Sequence, residues 1–298
     1  MSVVGVVGLG VMGGRCAAKL MERGMSVLGY DPFPAAADRA AQTGVRVCAT
    51  PAELAAGADV VLLFVPGPAD TEKVVLGPDG LARGARPGCI LVNMSTVDPG
   101  VNIRMGEAVA GQGVGFVDAP VMGSPSGVGA WAFAVGGADE HLATIRDILL
   151  ALSGSEEKIF HIGPLGHGNK LKLLNNMMLG AINACAAETL ALAERMGLSR
   201  KTLVDVAVAA NARVLSNAYR EIGQRADEER YDDPTFTVNM LIKDNRLCLE
   251  MANAHDAPLV LGAAADYVHR MAAAQGYGAK DHSVAWKAVL RNWRSGAE

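Results

Sequence analysis

The sequence predicts an α/β fold class: a doubly wound sheet over residues 1–163, then an all-α domain over 164–298 built on a long interdomain helix. Three observations predict it. Short valine-rich runs alternate with helical stretches through the first half, as a sheet with crossover helices requires. A glycine-rich turn joins the first such run to the first helix. Past about residue 168 the strand-like runs cease and helical periodicity takes over.

The run "SVVGVVGLGVMGG" reads as a strand followed at once by Gly8-Leu9-Gly10-Val11-Met12-Gly13, a helix to about Glu22, and an Arg23-Gly24 stop before the second strand, "MSVLGYD". A lone G-x-G-x-x-G is weak evidence. This one follows a strand, opens a helix, and is trailed 18 residues after Gly13 by Asp31 at the next strand end. That context makes it a dinucleotide-binding fingerprint of Rossmann type. Gly8 permits the tight turn, Gly10 lets backbone approach a pyrophosphate, and Gly13 lets helix and strand pack closely. The helix N-terminus offers its N–H groups and positive dipole end to the phosphates. A carboxylate at Asp31 accepts hydrogen bonds from ribose hydroxyls and repels a 2′-phosphate, so NAD is expected in preference to NADP. The alternative is a glycine-rich turn in some other α/β protein.

Further strands fit 58–66, 88–95, 115–121 and 131–137, with helices over 51–57 and 99–112 among them. Val60–Val65 is apolar without interruption, which is what a parallel sheet covered on both faces demands. Ligands of such sheets lie beyond the carboxyl ends of the strands. Those ends are Gly8–Gly13, Asp31, Pro66, Ser95-Thr96 and Asp118–Ser124, each a candidate by position and each also readable as plain turn chemistry. For Pro66 the plain reading is at least as strong.

In the second half, helical patterns run over 169–196, 199–224, 236–254 and 258–275, with 225–234 as an exposed, mobile loop. The first is about 42 Å long at 1.5 Å per residue. On its wheel Asn176 lies about 40° and Asn183 about 20° from Lys172, whereas Lys170 falls about 160° away. Lys172, Asn176 and Asn183 thus form a polar line on a helix rich in Leu, Met and Ala. Buried polar groups are costly unless paired, so the line is either a structural hydrogen-bond network or a lysine held in a cleft for proton transfer. Helix geometry leaves the two even.

Composition narrows the classes. A net charge of −4 with scattered cations offers no footprint for nucleic acid. The five cysteines have neither C-x-x-C nor metal-ligand spacing, so no metal is expected and they read as reduced thiols of a cytoplasmic protein. No signal peptide or transmembrane run is apparent. The long apolar helix needs more cover than one small domain gives, which predicts a homodimer or homotetramer.

Taken together, the motifs resemble the β-hydroxyacid dehydrogenases, a family that includes 3-hydroxyisobutyrate dehydrogenase and tartronate semialdehyde reductase. "GVVGLGVMGG" is similar to the family's cofactor loop and "NMSTVDPG" (93–100) to its Ser-Thr strand end near the nicotinamide. "DAPVMGSPSGVGAW" resembles its D-x-P-V-S-G-G substrate motif, and "GHGNKLKLLNN" its G-x-G-x-x-x-K-x-x-N-N motif. "LIKDNRLCL" (241–249) and "YGAKDHSV" (277–284) match two later segments. The resemblance implies reversible oxidation of a 3-hydroxy acid to a semialdehyde or keto acid. It places the proton-transferring lysine at Lys172, its partner at Asn176, substrate contacts near Thr96 and Gly123, and Lys243 near the cofactor. Where the family has Ser-Gly-Gly, this chain has Met122-Gly123-Ser124, and the loop to Gly129 is about two residues shorter than the family form. Methionine donates no hydrogen bond, so anion binding falls to backbone N–H groups, Ser124, or Arg213 or Asn211. Met122 could instead select another acyl group, a sulfonated semialdehyde included. Two other readings stay open: reduction of C=N bonds, as in the related imine reductases, and a non-catalytic binding module.

Overall fold

The structure, a computed structural model, describes residues 3–295. Its strands are β1 (Val3–Val7), β2 (Ser26–Tyr30), β3 (Arg46–Val47), β4 (Val60–Leu63), β5 (Ile90–Asn93), β6 (Gly115–Asp118), β7 (Val121–Met122), β8 (Ala132–Gly136) and β9 (Ile159–Gly163). They form one sheet in the order β3-β2-β1-β4-β5-β6-β8-β7, with β9 paired to β8. The strands from β3 to β6 are parallel, in register from Val4↔Val60 through Leu63↔Asn93 to Asn93↔Asp118. At the far edge β8 runs antiparallel to β6 and β7, and β9 is parallel to β8. The sheet is therefore mixed at that edge, while β4, read from Val60–Val65 as a strand of a parallel sheet covered on both faces, is parallel to both its neighbours, β1 and β5. The link from β7 to β8 is too short for a parallel crossover, which needs a dozen residues or more.

Both faces are covered. In β4, Val60 and Leu62 join one apolar cluster while Val61 and Leu63 join the other, the period of two expected of a strand buried on both sides. The first cluster takes Cys16 and Leu20 from α1 (Val11–Glu22), Ala36 and Ala40 from α2 (Pro34–Gln42), and on the same face Ile145 and Leu149 from a helix over 139–153. The second takes Leu54 of α3 (Pro51–Gly57), Val75 of α4 (Pro68–Leu76) and Leu81 of α5 (Leu81–Gly84). It also takes Val101 and Met105 of α6 (Pro99–Ala110). The 139–153 helix is α7 (Asp139–Ser153), closed by left-handed Gly154. Thr50 starts α3 by accepting the Glu53 N–H at 3.1 Å, and Glu53 returns a bond to the Ala49 N–H, a reciprocal cap.

The long helix α8 spans His167–Arg195. Two compact units divide inside it, between Lys172 and Leu173, some nine residues beyond the 163/164 boundary read from the sequence. The helical unit continues with α9 (Arg200–Ala209), α10 (Asn217–Asp227), α11 (Val238–Asn253), α12 (Val260–Ala272) and α13 (Ala285–Ser295). The single helix expected over 199–224 is two, broken at 210–216 where Asn211 turns left-handed (φ 45°). Of the stretch 225–234, expected as an exposed, mobile loop, residues 228–230, 232 and 233 are exposed, while Arg225, Ala226 and Tyr231 are buried. Buried Arg225 pairs with Asp233 at 3.0 Å and Asp281 at 3.3 Å, and the Tyr231 hydroxyl donates to the Ala226 carbonyl while accepting from Trp286 Nε1. On its exposed side, Asp232 and Glu229 pair with Lys280 and Lys287.

Candidate active site

The glycine turn is built by close approach. Gly8 has φ 86°, and a Cβ there would lie 2.1 Å from the Phe64 carbonyl oxygen. A Cβ on Gly13 would lie 1.8 Å from the Gly8 oxygen. Gly10, by contrast, has open space where its Cβ would be, and it starts α1 with no side-chain cap. An uncapped helix start with free approach to its backbone is what a pyrophosphate requires, so these residues fit a dinucleotide. Val11 is exposed and Met12 half-buried beside it, while Leu9 turns into the core. Asp31 sits against the turn in a way the sequence did not disclose. Its Oδ2 accepts the Leu9 N–H at 2.7 Å and its Oδ1 the Phe33 N–H at 2.9 Å. Each oxygen retains a lone pair for a ribose hydroxyl, and the carboxylate also fixes the loop it serves.

Ser95 is a tie between strand ends: its hydroxyl accepts the Val65 N–H at 2.9 Å and donates to the Leu63 carbonyl at 3.2 Å. Pro66 is exposed in the same turn and Thr96 is half-buried. The next N–H, of Val97, donates to Asn169 Oδ1 at 2.9 Å. Asn169 also donates its backbone N–H to Asp118 Oδ2 at 2.6 Å, and Asp118 Oδ1 accepts the Gly166 N–H at 2.7 Å. The 95–97 turn, the end of β6 and the start of α8 meet in this knot, one helical turn before half-buried Lys172. Burial raises the Asp118 carboxyl to about 6 against the opposing pull of the Asn169 and Gly166 N–H groups. The role of Asn169 was missed; nothing local in the sequence pairs it with a residue 51 positions earlier.

Met122 is half-buried in β7, paired with Ala132. Gly123 is required by Trp131, because a Cβ would lie 2.6 Å from the indole Cδ1. Fully buried Trp131 donates Nε1–H to the Ser124 carbonyl at 2.8 Å and packs between Phe64 and Phe133, each at 6.4 Å between ring centroids. The Ser124 and Ser126 hydroxyls are 3.0 Å apart. The loop after β7 is thus held by an indole.

In the helical unit, buried Asn176 donates to Asp244 Oδ2 at 2.6 Å, and Lys243 pairs with Asp244 Oδ1 at 3.0 Å. Arg213 is exposed in the 210–216 break beside Asn211. Asn183 belongs to a separate buried network, which answers the helix-wheel alternative for that residue in favour of structure. Its Oδ1 accepts from His269 Nε2 at 2.8 Å, and its Nδ2 donates to His282 Nδ1 at 2.8 Å. Asn245 Nδ2 donates to His269 Nδ1 at 3.3 Å, so both rings are neutral in this arrangement.

Burial, with His282 alongside, lowers His269 to about 3, and burial lowers His282 as well. A depressed histidine contributes stability above its unfolded value of about 6.5 and loses it as pH falls toward the folded value. Between about pH 6.5 and about pH 4 the wild type should therefore lose stability relative to a variant lacking His269, at up to about 1.4 kcal/mol per pH unit for each proton taken up by the unfolded chain. Raised Asp118 acts with the opposite sign in both proteins. Thermal scans of wild type and His269→Gln test this; equal slopes would rule out the assigned network.

The sheet, its glycine turn and Asp31 define the class: a dinucleotide-binding protein of Rossmann type. The family model described as the NAD binding domain of 6-phosphogluconate dehydrogenase matches residues 3–163, and that described as NAD-binding of NADP-dependent 3-hydroxyisobutyrate dehydrogenase matches 166–289. The chain is 34% identical over 289 residues to the L-threonate dehydrogenase of Cupriavidus necator, covering 95% of each. It is 32% identical over 290 residues to human mitochondrial 3-hydroxyisobutyrate dehydrogenase, covering 94% of this chain and 84% of the relative. A solved 3-hydroxyisobutyrate dehydrogenase from Salmonella typhimurium superposes with a TM-score of 0.87 at 27% identity, over 96% of this chain and 99% of that one. The chain belongs to the β-hydroxyacid dehydrogenase family. Among the described residues no group of His, Cys, Asp and Glu could hold a metal ion, and no helix is long and apolar enough to cross a membrane.

Proposed function

We propose that the chain catalyses the reversible NAD-dependent oxidation of a small 3-hydroxy acid to a semialdehyde or keto acid, with Lys172 as general acid and base. The observation that carries this reading is the anchoring of Asn176. One turn beyond Lys172 on the same helix, its amide is buried and pinned by Asp244, which fixes the orientation of its dipole. In oxidation Lys172 removes the hydroxyl proton; in reduction it returns that proton to the carbonyl oxygen. Asn176 holds the oxygen in register, Thr96 and the Gly123 backbone orient the acid, and Lys243 is assigned to the cofactor by the family resemblance alone. When bound, the nicotinamide supplies the hydride acceptor or donor. Where Met122 replaces the family serine, the carboxylate is taken by backbone N–H groups, the Ser124 hydroxyl or Arg213.

Purified protein with NAD should form NADH on 3-hydroxyisobutyrate, L-threonate or a related 3-hydroxy acid, followed by absorbance. A panel with no turnover would sink the reading. Asp31 favours NAD, and titration should show NAD binding at least about tenfold tighter than NADP; the reverse order would reject this role for Asp31. The helical unit exposes Met196, Leu198, Val206 and Tyr267, each more than half accessible. Such a surface supports a homodimer or homotetramer in a cytoplasmic setting, and light scattering at the mass of one chain would contradict it.

A further inference from the structure

The knot at the start of α8 has a geometry that helix capping alone does not require. Asp118 and Asn169 are both fully buried, with 0% of their surface exposed. The Asp118 carboxylate closes the helix start from the end of another strand, taking the Gly166 and Asn169 N–H groups on separate oxygens. Asn169 then turns its own amide outward along the sheet, accepting from the Val97 N–H and lying 3.4 Å by Nδ2 from Asp118 Oδ2. Glycines make room for it. A Cβ on Gly136 would lie 2.4 Å from Asp118 Oδ1, and one on Gly168 would lie 2.4 Å from the Ala134 oxygen and 2.9 Å from Asp118 Oδ2.

We propose that Asp118 and Asn169 are positioning residues that set the spacing between the Thr96 turn and Lys172, and so the register in which the lysine meets the substrate oxygen. Val97 adjoins Thr96, and Lys172 follows Asn169 by about 4.5 Å of helix rise. One amide therefore bonds directly to the turn and sits one helical turn from the amine. Neither residue need touch substrate. The inference rests on Lys172 being the proton-transfer group, and displacements of about 1 Å at such a group can cost about a hundredfold in rate. The groups acting on the Asp118 carboxyl are its burial, the backbone and side-chain N–H donors of Asn169, the Gly166 N–H and its own backbone N–H, with no charged side chain among them. Neighbouring His167 turns its Nδ1 to the Ile162 carbonyl at 3.3 Å.

The test uses full-length enzyme saturated with NAD, on whichever 3-hydroxy acid it turns over. Asn169→Ala should lower kcat about tenfold or more, with KM and the NAD Kd within about threefold of wild type. Asn169→Asp is isosteric and keeps the acceptor for Val97, but it sets a second carboxylate against Asp118. Its kcat relative to wild type should rise as pH falls from about 9 to about 6, as the pair takes up one proton, while the Asn169→Ala ratio stays flat. A folded Asn169→Ala with wild-type kcat, or an Asn169→Asp ratio that does not change with pH, overturns the clamp. Should the alanine variant not fold, the aspartate profile alone decides. Lys172→Ala in the same series separates the two readings. If it is inactive while the Asn169 variants match wild type, only the clamp fails; if it stays active, the proton-transfer reading fails and the clamp with it.

Discussion

Replacing Lys172 by alanine should lower kcat by about a hundredfold to ten-thousandfold, the usual contribution of a positioned acid or base. The NAD Kd should stay within a small factor of wild type, because the glycine turn and Asp31 are bonded to each other and not through α8. The truncation shortens a half-buried side chain and leaves helix propensity unharmed, since alanine is the best helix former. Initial rates with saturating NAD, paired with cofactor titration by fluorescence, separate the two quantities. A variant that keeps wild-type kcat ends the lysine mechanism. If kcat and NAD affinity collapse together, the residue is structural. Lys172→Arg should recover little, because its guanidinium does not release a proton at working pH.

Gly13→Ala should abolish dinucleotide binding and destabilise the sheet unit. The added methyl would lie 1.8 Å from the Gly8 carbonyl oxygen and 3.0 Å from its carbon, both backbone atoms that no rotamer change can move. Either α1 retreats from β1 or the turn opens. The first disturbs the packing of Cys16, Ala17 and Leu20 against the sheet, and the second displaces the Leu9 N–H from Asp31. Overpacking of this kind costs about 3 kcal/mol. Gly10→Ala is the control: its Cβ meets nothing within 4 Å, so stability should hold while NAD affinity falls from loss of backbone approach. Denaturant melts and NAD titration of both variants check this. Equal stability losses for Gly13→Ala and Gly10→Ala would contradict the packing account.

What was legible in the sequence follows from where the causes lie. The glycine turn could be read because close backbone approach excludes every other side chain, and the strands because a doubly covered sheet writes apolar runs directly. Asp31 was legible as a residue and not as a bond, since its Leu9 partner lies 22 positions earlier across the sheet. Asp118, Asn169 and Val97 come together only through tertiary pairing, which local periodicity does not record. The break at 210–216 is weakly marked because "VAVAANARVLSNAY" has neither proline nor glycine, and its local signs are only Asn211 and the capping Ser216. The antiparallel edge could have been inferred, because nine residues between Met122 and Ala132 forbid a parallel crossover. The 225–234 stretch looked solvated by its charges, and burial of Arg225 is a property of the partners it found.

The seam between the two units has a consequence for modularity. A fragment ending at residue 163 would contain every strand of the sheet and the whole glycine turn. It would also strand the Asp118 carboxylate without the Gly166 and Asn169 N–H groups, and leave Val97 without its acceptor. The sheet thus borrows one strut from Gly166, just before a helix otherwise owned by its neighbour, and another from that helix's first turn. An exchange of helical units between relatives would have to be cut after Lys172, and each recombinant would carry the donor sheet's own lysine with it.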